Sequence, residues 1–187
     1  MNVNKTVGVL ALQGDFLAHL RALERVGAVG VEVRTAEQLE RCDGLIIPGG
    51  ESSTMLKLLD IEKLTEAVRG FGARKPIYGT CAGAILLAHE VTHPAQHSLD
   101  LMDISVERNG YGRQIDSRIA RVMGDGGEFE AVFIRAPIIR KVGAGARVLA
   151  EYRGDPVWVE EGRHMATTFH PELTDDDRVH RRFVEKL

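Results

Sequence analysis

The sequence is poor in aromatic residues and in long apolar runs, and it has only two cysteines. Aromatic residues make up 5% of the 187 positions, whereas glycine alone occupies 20 of them. This balance favours an α/β protein with tight strand-to-helix turns over an aromatic-rich β-sandwich. The longest apolar stretch, residues 82–88, is far shorter than the roughly 18 residues of a membrane span. We therefore expect no membrane partner.

Charge is nearly balanced, with 24 Lys and Arg against 27 Asp and Glu and a net charge of −3. No segment is basic enough to predict a nucleic-acid partner. Residues 1–15 carry one lysine and a short apolar run broken by Gln13 and Asp15, which is unlike a signal peptide. Without such a signal, Cys42 and Cys81 are expected to be reduced thiols and the chain to be cytoplasmic.

Length and periodicity predict one domain, residues 1–187, of the α/β class. A chain of this size can bury about 70% of its unfolded surface and needs no disulfide to fold. Apolar residues at helical spacing follow short apolar runs in the first half, which predicts a doubly wound, mostly parallel, flavodoxin-like sheet with flanking helices. The predicted strands are 7–12, 31–34, 44–47 and 76–79, and a helix is predicted over 82–90.

The second half contains short strands separated by glycine-rich turns, which predicts antiparallel additions at one edge of the sheet. Thr174 is the expected N-cap of a closing helix that runs through Lys186. The predicted strands are 101–106, 119–122, 131–134, 147–150, 157–160 and 165–169.

The strongest local signal is Gly79-Thr80-Cys81-Ala82-Gly83, between a predicted strand and a predicted helix. This is the nucleophile-elbow pattern with cysteine in place of serine, and the turn requires small residues two positions to either side. A helix N-terminus also favours the thiolate form of Cys81. A buried structural cysteine remains the alternative, and it is the favoured interpretation for Cys42, which has no such setting.

A thiolate nucleophile needs a base and a group that orients the base. His170 and Glu172 supply both types of side chain, and residues two apart along an extended segment project to the same face. Pro171 between them would end strand pairing. A parallel sheet builds its site at the ends of its strands, which favours a triad over a solvated ion pair.

The segment at residues 48–53, Pro-Gly-Gly-Glu-Ser-Ser, follows the third predicted strand. Two glycines allow the backbone to approach a ligand closely. The backbone N–H groups of Gly50 and Ala82 are the predicted oxyanion hole. The alternative is a tight turn followed by a serine-capped helix.

Residues 89–93, His-Glu-Val-Thr-His, match the zinc-protease pattern H-E-x-x-H. That motif works within a continuous helix, but Pro94 predicts that this helix ends near Glu90. Leu99 occupies the position of the third histidine in the extended motif. We therefore expect no metal site.

Together these segments resemble the class I, triad-type glutamine amidotransferases, and in particular the glutaminase subunits of pyridoxal 5′-phosphate synthases. The resemblance extends over nearly the whole chain. It is carried by five segments: residues 8–15, 48–53, 107–114, 133–137 and 169–174.

The resemblance implies that Cys81 attacks the side-chain amide of L-glutamine, forms a glutamyl thioester and releases ammonia. His170 would be the general base and acid, oriented by Glu172, and Gln13 would organise the oxyanion hole. The implied L-glutamine site consists of Gly50, Glu51, Ser52, Arg108, Ile134 and Arg135. No cofactor is implied. The implied partner is a (βα)8-barrel synthase subunit that uses the ammonia to make pyridoxal 5′-phosphate, in a large hetero-oligomer.

Two departures from the family pattern bear on partner contacts. Arg118 stands where the family usually has phenylalanine, and residues 152–163 are more acidic than expected. The alternatives are a class I glutaminase with a different acceptor, a DJ-1-like cysteine protein, a catalytically silent binding module and a peptidase. A DJ-1-like protein would share the elbow cysteine but would not need His170 or Glu172.

Overall fold

The computed structural model describes residues 5–110 and 117–187. In chain order the strands are β1 (Thr6–Leu10), β2 (Val29–Val33), β3 (Gly44–Ile47), β4 (Ile77–Thr80), β5 (Ala88–Thr92), β6 (Met102–Glu107), β7 (Arg118–Gly124), β8 (Gly127–Phe133), β9 (Ile138–Val142), β10 (Ala146–Tyr152), β11 (Asp155–Glu161) and β12 (His164–Thr167). The helices are α1 (Phe16–Arg25), α2 (Ala36–Glu40), α3 (Ser52–Ile61), α4 (Thr65–Gly72), α5 (Ala82–Leu87) and α6 (Arg178–Val184), and a 3-10 turn covers Pro171–Leu173.

The main sheet has the strand order β2-β1-β3-β4-β12-β11-β10-β7-β8. Strands from β2 to β12 in that order pair in parallel, and the remaining neighbours pair antiparallel. The predicted α/β fold, a parallel sheet with antiparallel additions at one edge, is confirmed. A smaller sheet, β5-β6-β9, lies beside it.

Alternate residues of the parallel strands enter two separate hydrophobic clusters, one on each face of the sheet. Along β3, Leu45 and Ile47 belong to the cluster that includes residues of α3 and α4, whereas Ile46 belongs to the cluster with α1 and α6. All three are fully buried. A strand covered by helices on both faces must be apolar at every position, which is why these runs show no alternation.

The helix predicted over 82–90 ends at Leu87, and the segment that follows is strand β5. The carbonyls of Leu86 and Leu87 accept hydrogen bonds from the backbone N–H groups of Leu99 and Leu101, so they are not available to continue the helix. His89 therefore lies on β5, and His93 lies in the turn that follows this strand. In the described part of the chain, no three His, Cys, Asp or Glu side chains are grouped as metal ligands.

Thr174 does not cap the closing helix, so that prediction is wrong. Its hydroxyl donates to the carbonyl of Pro171 at 3.1 Å and accepts from the backbone N–H of Asp176 at 3.3 Å, which closes the 3-10 turn. Helix α6 begins only at Arg178 and ends at Val184. Strands β5 and β9 and helix α2 were not predicted. Within 5–110 and 117–187, no helix has the length and apolar character needed to cross a membrane.

Candidate active site

Cys81 lies in a sharp turn between β4 and α5, with φ of 51° and ψ of −102°. A positive φ at a residue other than glycine is uncommon and strained, and such residues cluster at functional sites. The structure explains the flanking glycines. A Cβ at Gly79 would lie 2.5 Å from the carbonyl oxygen of Gly83, and a Cβ at Gly83 would lie 2.2 Å from that of Ile47. Only glycine fits at both positions, as the elbow pattern predicts.

His170 and Glu172 follow β12 and reach the elbow from the neighbouring strand. Nδ1 of His170 lies 2.7 Å from Oε1 of Glu172, and both side chains are buried. Burial lowers the pKa of His170, but hydrogen bonds with Cys81 and Glu172 outweigh it and raise the pKa to about 10. Cys81 and Glu172 thus both favour the protonated form of this imidazole.

A second histidine, His19 on α1, faces the other oxygen of Glu172. Its Nε2 lies 3.5 Å from Oε2 of the carboxylate, and its Nδ1 lies 2.9 Å from Nε2 of His180 on α6. The side chains of His19 and His180 are completely buried. Sequence reasoning missed both residues. The helical periodicity of α1 places His19 on the buried face beside Leu23, but it does not identify a partner in a helix 161 positions away.

The predicted glutamine-site residues line one cavity with the triad. The cavity has a volume of about 340 Å³, which is at the lower end of the range of about 300–1,000 Å³ for small-molecule sites. Its lining includes Gly50, Glu51, Ser52, Cys81, Arg108, Ile134, Arg135, His170 and Glu172. Ala82 follows Cys81 as the first residue of α5 and is buried.

Glu51 and Arg108 are already paired in this cavity. Nη2 of Arg108 donates to Oε1 of Glu51 at 3.1 Å and to the hydroxyl of Ser53 at 2.8 Å. The same carboxylate caps α3 by accepting from the backbone N–H groups of Ser53 and Thr54. Hydrogen bonding to the Thr54 hydroxyl, together with these N–H groups, lowers the pKa of Glu51 to about 2. The Glu51 carboxylate thus already bonds both the N-terminus of α3 and the side chain of Arg108.

The glycine loop before α3 is packed tightly against the loop after β1. Gly50 has φ of 152°, and its Cβ would lie 3.1 Å from Oε1 of Gln13. That amide oxygen accepts from the backbone N–H of Glu51 at 3.3 Å. A Cβ at Gly49 would lie 2.4 Å from Cε1 of His170. Gln13 therefore lies where it can fix the backbone of the predicted oxyanion loop.

Ile134 and Arg135 lie in the bend after β8 and line another side of the cavity. The thiol of Cys81 lies 3.9 Å from the carbonyl oxygen of Ile134. Arg135 has φ of 45°, the second strained backbone position that lines this cavity. Residues 111–114 of the family-like segment 107–114 lie outside the described residues. Arg118 begins β7, and within the acidic stretch Glu160 is held by basic side chains.

Comparisons with known proteins agree over nearly the whole chain. Residues 9–187 match the family model described as the SNO glutamine amidotransferase family. A pyridoxal 5′-phosphate synthase subunit PdxT from Solibacter usitatus is 61% identical, with 98% of this chain and 100% of the relative covered. The corresponding subunit from Koribacter versatilis is 55% identical, over 97% of this chain and 95% of the relative.

One solved structure supports the same assignment, and a more distant one shows the fold. A crystal structure of a glutamine amidotransferase superposes with a TM-score of 0.90 at 47% identity, covering 96% of this chain and 97% of that one. A glutamine amidotransferase from Thermotoga maritima, at 13% identity and a TM-score of 0.60, covers 100% of this chain and 92% of that one and shows the common fold alone. The resemblance found in the sequence is confirmed. The chain belongs to the SNO glutamine amidotransferase family.

Proposed function

We propose that this chain, as a single domain of residues 1–187, is the glutaminase subunit of a pyridoxal 5′-phosphate synthase. It hydrolyses L-glutamine to L-glutamate and ammonia and passes the ammonia to a partner synthase. One observation carries the proposal: a strained elbow cysteine, a buried histidine–glutamate pair and two arginines line a single cavity of about 340 Å³. Family membership supports the same reaction.

The chemistry is covalent catalysis in two steps. The sulfur of Cys81 attacks the side-chain amide carbon of glutamine, and the oxyanion that forms is received by the N–H groups of Gly50 and Ala82. His170 then gives its Nε2 proton to the departing ammonia, which leaves a glutamyl thioester on Cys81. In the second step His170 accepts a proton from water, hydroxide attacks the thioester carbon, and glutamate leaves as the thiolate reforms. Throughout, Glu172 accepts the hydrogen bond from Nδ1 of His170.

Substrate recognition falls to the rim of the cavity. Arg108 and Arg135 carry the guanidinium groups that suit the α-carboxylate of glutamine, because a guanidinium can bind a carboxylate through two parallel hydrogen bonds. Arg108 is held in place by Glu51 and Ser53 before substrate arrives. Because its carboxylate already bonds α3 and Arg108, Glu51 contacts glutamine through its backbone. Gly50, Ser52 and Ile134 complete the glutamine site.

The partner is a (βα)8-barrel synthase, in a large hetero-oligomer in the cytoplasm, where Cys42 and Cys81 stay reduced. The relatives are named as subunits of a pyridoxal 5′-phosphate synthase, which supports a synthase partner. The partner also switches on the glutaminase. A peptide flip at Gly49-Gly50 costs only a few kcal/mol, and a bias of about 1.4 kcal/mol from a protein interface changes the rate tenfold.

The test is the rate of ammonia release from glutamine at fixed enzyme, titrated with purified synthase. We expect the rate to rise at least about tenfold and then to saturate. A Cys81→Ala protein should release no ammonia, because the nucleophile is gone. Cys42→Ala is the matched control and should keep its activity, because Cys42 is buried away from the cavity and donates to the carbonyl of Gln38. Undiminished ammonia release by Cys81→Ala would refute the mechanism. A flat titration with high basal activity would refute partner activation alone.

A further inference from the structure

Behind the triad lies a buried chain of polar groups that the mechanism above does not use. It runs from Glu172 to His19 and then to His180, over distances of 3.5 and 2.9 Å. Three of its atoms are buried and lack a hydrogen-bond partner within 5–110 and 117–187: Nε2 of His19, Oε2 of Glu172 and Nδ1 of His180. Burying a polar group without a partner is unfavourable, so a chain of such groups in the core calls for an explanation.

The protonation states fix the direction of every hydrogen bond in this chain. Burial raises the pKa of Glu172, but the hydrogen bond from His170 and the positive charge of that imidazole lower it, so the group is a carboxylate that can only accept. Burial lowers the pKa of His19, so it is neutral and carries a single N–H. Burial likewise lowers the pKa of His180 to about 3.

A neutral imidazole has one donor and one acceptor nitrogen. The two unpaired atoms that face each other, Nε2 of His19 and Oε2 of Glu172, complement each other only if Nε2 carries the proton. Nδ1 of His19 is then an acceptor, and His180 must donate from its Nε2. Both hydrogen bonds are therefore donated in the same direction, from His180 to His19 and from His19 to Glu172.

We propose that His19 is a positioning residue for the triad, and that its Nε2–H holds the second oxygen of Glu172 so that the first oxygen stays aimed at Nδ1 of His170. The distance of 3.5 Å is long for a hydrogen bond, and such contacts tighten as a catalytic site engages its substrate. His180 supports His19 by donating a hydrogen bond from its Nε2 to Nδ1 of His19. This inference rests on the proposed glutaminase function.

Two amide substitutions separate positioning from packing. In His19→Gln the side-chain amide nitrogen can reach the place of Nε2 and still donate to Glu172. In His19→Asn the shorter amide reaches only the place of Nδ1, so it keeps a group facing His180 and removes the donor to Glu172. Both replace a buried imidazole by a smaller neutral amide. His89→Asn is a matched control, because His89 is an exposed histidine that also contacts a carboxylate, that of Asp100.

The experiment measures kcat and KM for ammonia release from glutamine with saturating synthase, together with the free energy of unfolding. We expect His19→Asn to lower kcat about 10-fold or more with KM nearly unchanged, as when a group that orients a reactive imidazole is lost. His19→Gln should recover most of that loss, and His89→Asn should match the unsubstituted protein. Equal kcat in His19→Asn and the unsubstituted protein would overturn the proposal, as would an equal loss in both amide variants at equal stability.

A second measurement needs no variant. The ¹⁵N chemical shifts of the His19 ring in the unsubstituted protein should show a protonated Nε2 and an unprotonated Nδ1. The opposite tautomer would overturn the proposal even if the variants failed to fold. If the unsubstituted protein released no ammonia from glutamine, the proposed function would fail instead, so the two failures are distinguishable.

Discussion

Glu172 and Glu160 are both glutamates held by several partners, but the partners differ in kind. Glu172 is 1% exposed and is contacted by His170 and His19. Glu160, on β11, is 12% exposed, and its oxygens lie within 3.0 Å of three basic side chains. Those three are Arg147, Arg182 and Lys186.

The difference shows what each kind of partner provides. Arginine and lysine carry permanent charges, so they stabilise a carboxylate near the surface and link β10, β11 and α6. Every nitrogen of an arginine or lysine head group is a donor, so these partners do not select between tautomers. A buried histidine has two distinct nitrogens, and a carboxylate that accepts from one of them determines what the other can do. We therefore expect changes around Glu172 to alter the rate and changes around Glu160 to alter stability.

The largest effect should come from His170→Asn. This change removes the proton acceptor and the ion-pair partner of Cys81, and we expect kcat for glutamine hydrolysis to fall by about 10²–10⁴-fold. The free energy of unfolding should change much less than the rate. Steady-state ammonia release, measured beside a thermal unfolding curve, checks both. A full-rate enzyme would remove His170 from the mechanism.

Glu172→Gln should come next, with kcat lowered about 10–100-fold. The amide keeps nearly the shape of the carboxylate but no longer stabilises the His170 imidazolium, so the base is misoriented without being deleted. The same steady-state assay gives the result. If Glu172→Gln lost more activity than His170→Asn, the assigned roles would be wrong.

Glu160→Gln should leave kcat unchanged and lower the free energy of unfolding by about 1 kcal/mol at neutral pH, because three cations lose a shared carboxylate. Burial raises the pKa of Glu160, but Arg182 and Lys186 outweigh it and hold the pKa near 2, against an ordinary value of 4.5.

The pKa of Glu160 is depressed by folding, so its stabilisation is present above about pH 4.5 and is lost as the pH falls towards 2. The gap in unfolding free energy between the unsubstituted protein and Glu160→Gln should narrow over that window. Denaturant unfolding at pH 7 and at pH 3 measures it. A gap that stayed constant would mean that the stabilisation does not depend on the charge of Glu160.

The smallest effect should come from His93→Ala. Its Nδ1 lies 4.0 Å from a carboxylate oxygen of Glu107, and its side chain is 73% exposed. Activity should stay within about twofold, as expected for a surface change away from the site, and a chelator should not reduce it. Chelator-sensitive glutamine hydrolysis that zinc restored would revive the H-E-x-x-H interpretation.

Local constraints made several features predictable from the sequence. The elbow at Cys81 needs small residues two positions away in either direction, and those requirements are written within five consecutive residues. His170 and Glu172 are likewise two residues apart, so their contact at 2.7 Å follows from local backbone geometry. The continuous apolar runs of β1, β3 and β4 predicted a sheet that is buried on both faces.

Other features depend on contacts between distant segments, which no short pattern encodes. Residues 88–90 were predicted to continue the helix, but the backbone N–H groups of Leu99 and Leu101 bond the carbonyls of Leu86 and Leu87 at its end. Thr174 has a side chain that suits a helix N-cap, but its hydroxyl donates instead to the carbonyl of Pro171 in the preceding turn. The hydrogen bond from Arg108 to Glu51 joins residues 57 positions apart, so only the folded structure reveals it.

The sequence by itself predicted the nucleophile, its base and the orienting carboxylate, because each prediction rests on residues close together in the chain, and five short segments together identified the family. Only the tertiary structure decided what holds that carboxylate from behind. His19 and His180 are 161 positions apart, and the packing of α1 and α6 on one face of the sheet brings their nitrogens to 2.9 Å. Burial then keeps both imidazoles neutral, and a neutral ring with one proton can give a hydrogen-bonded chain its direction.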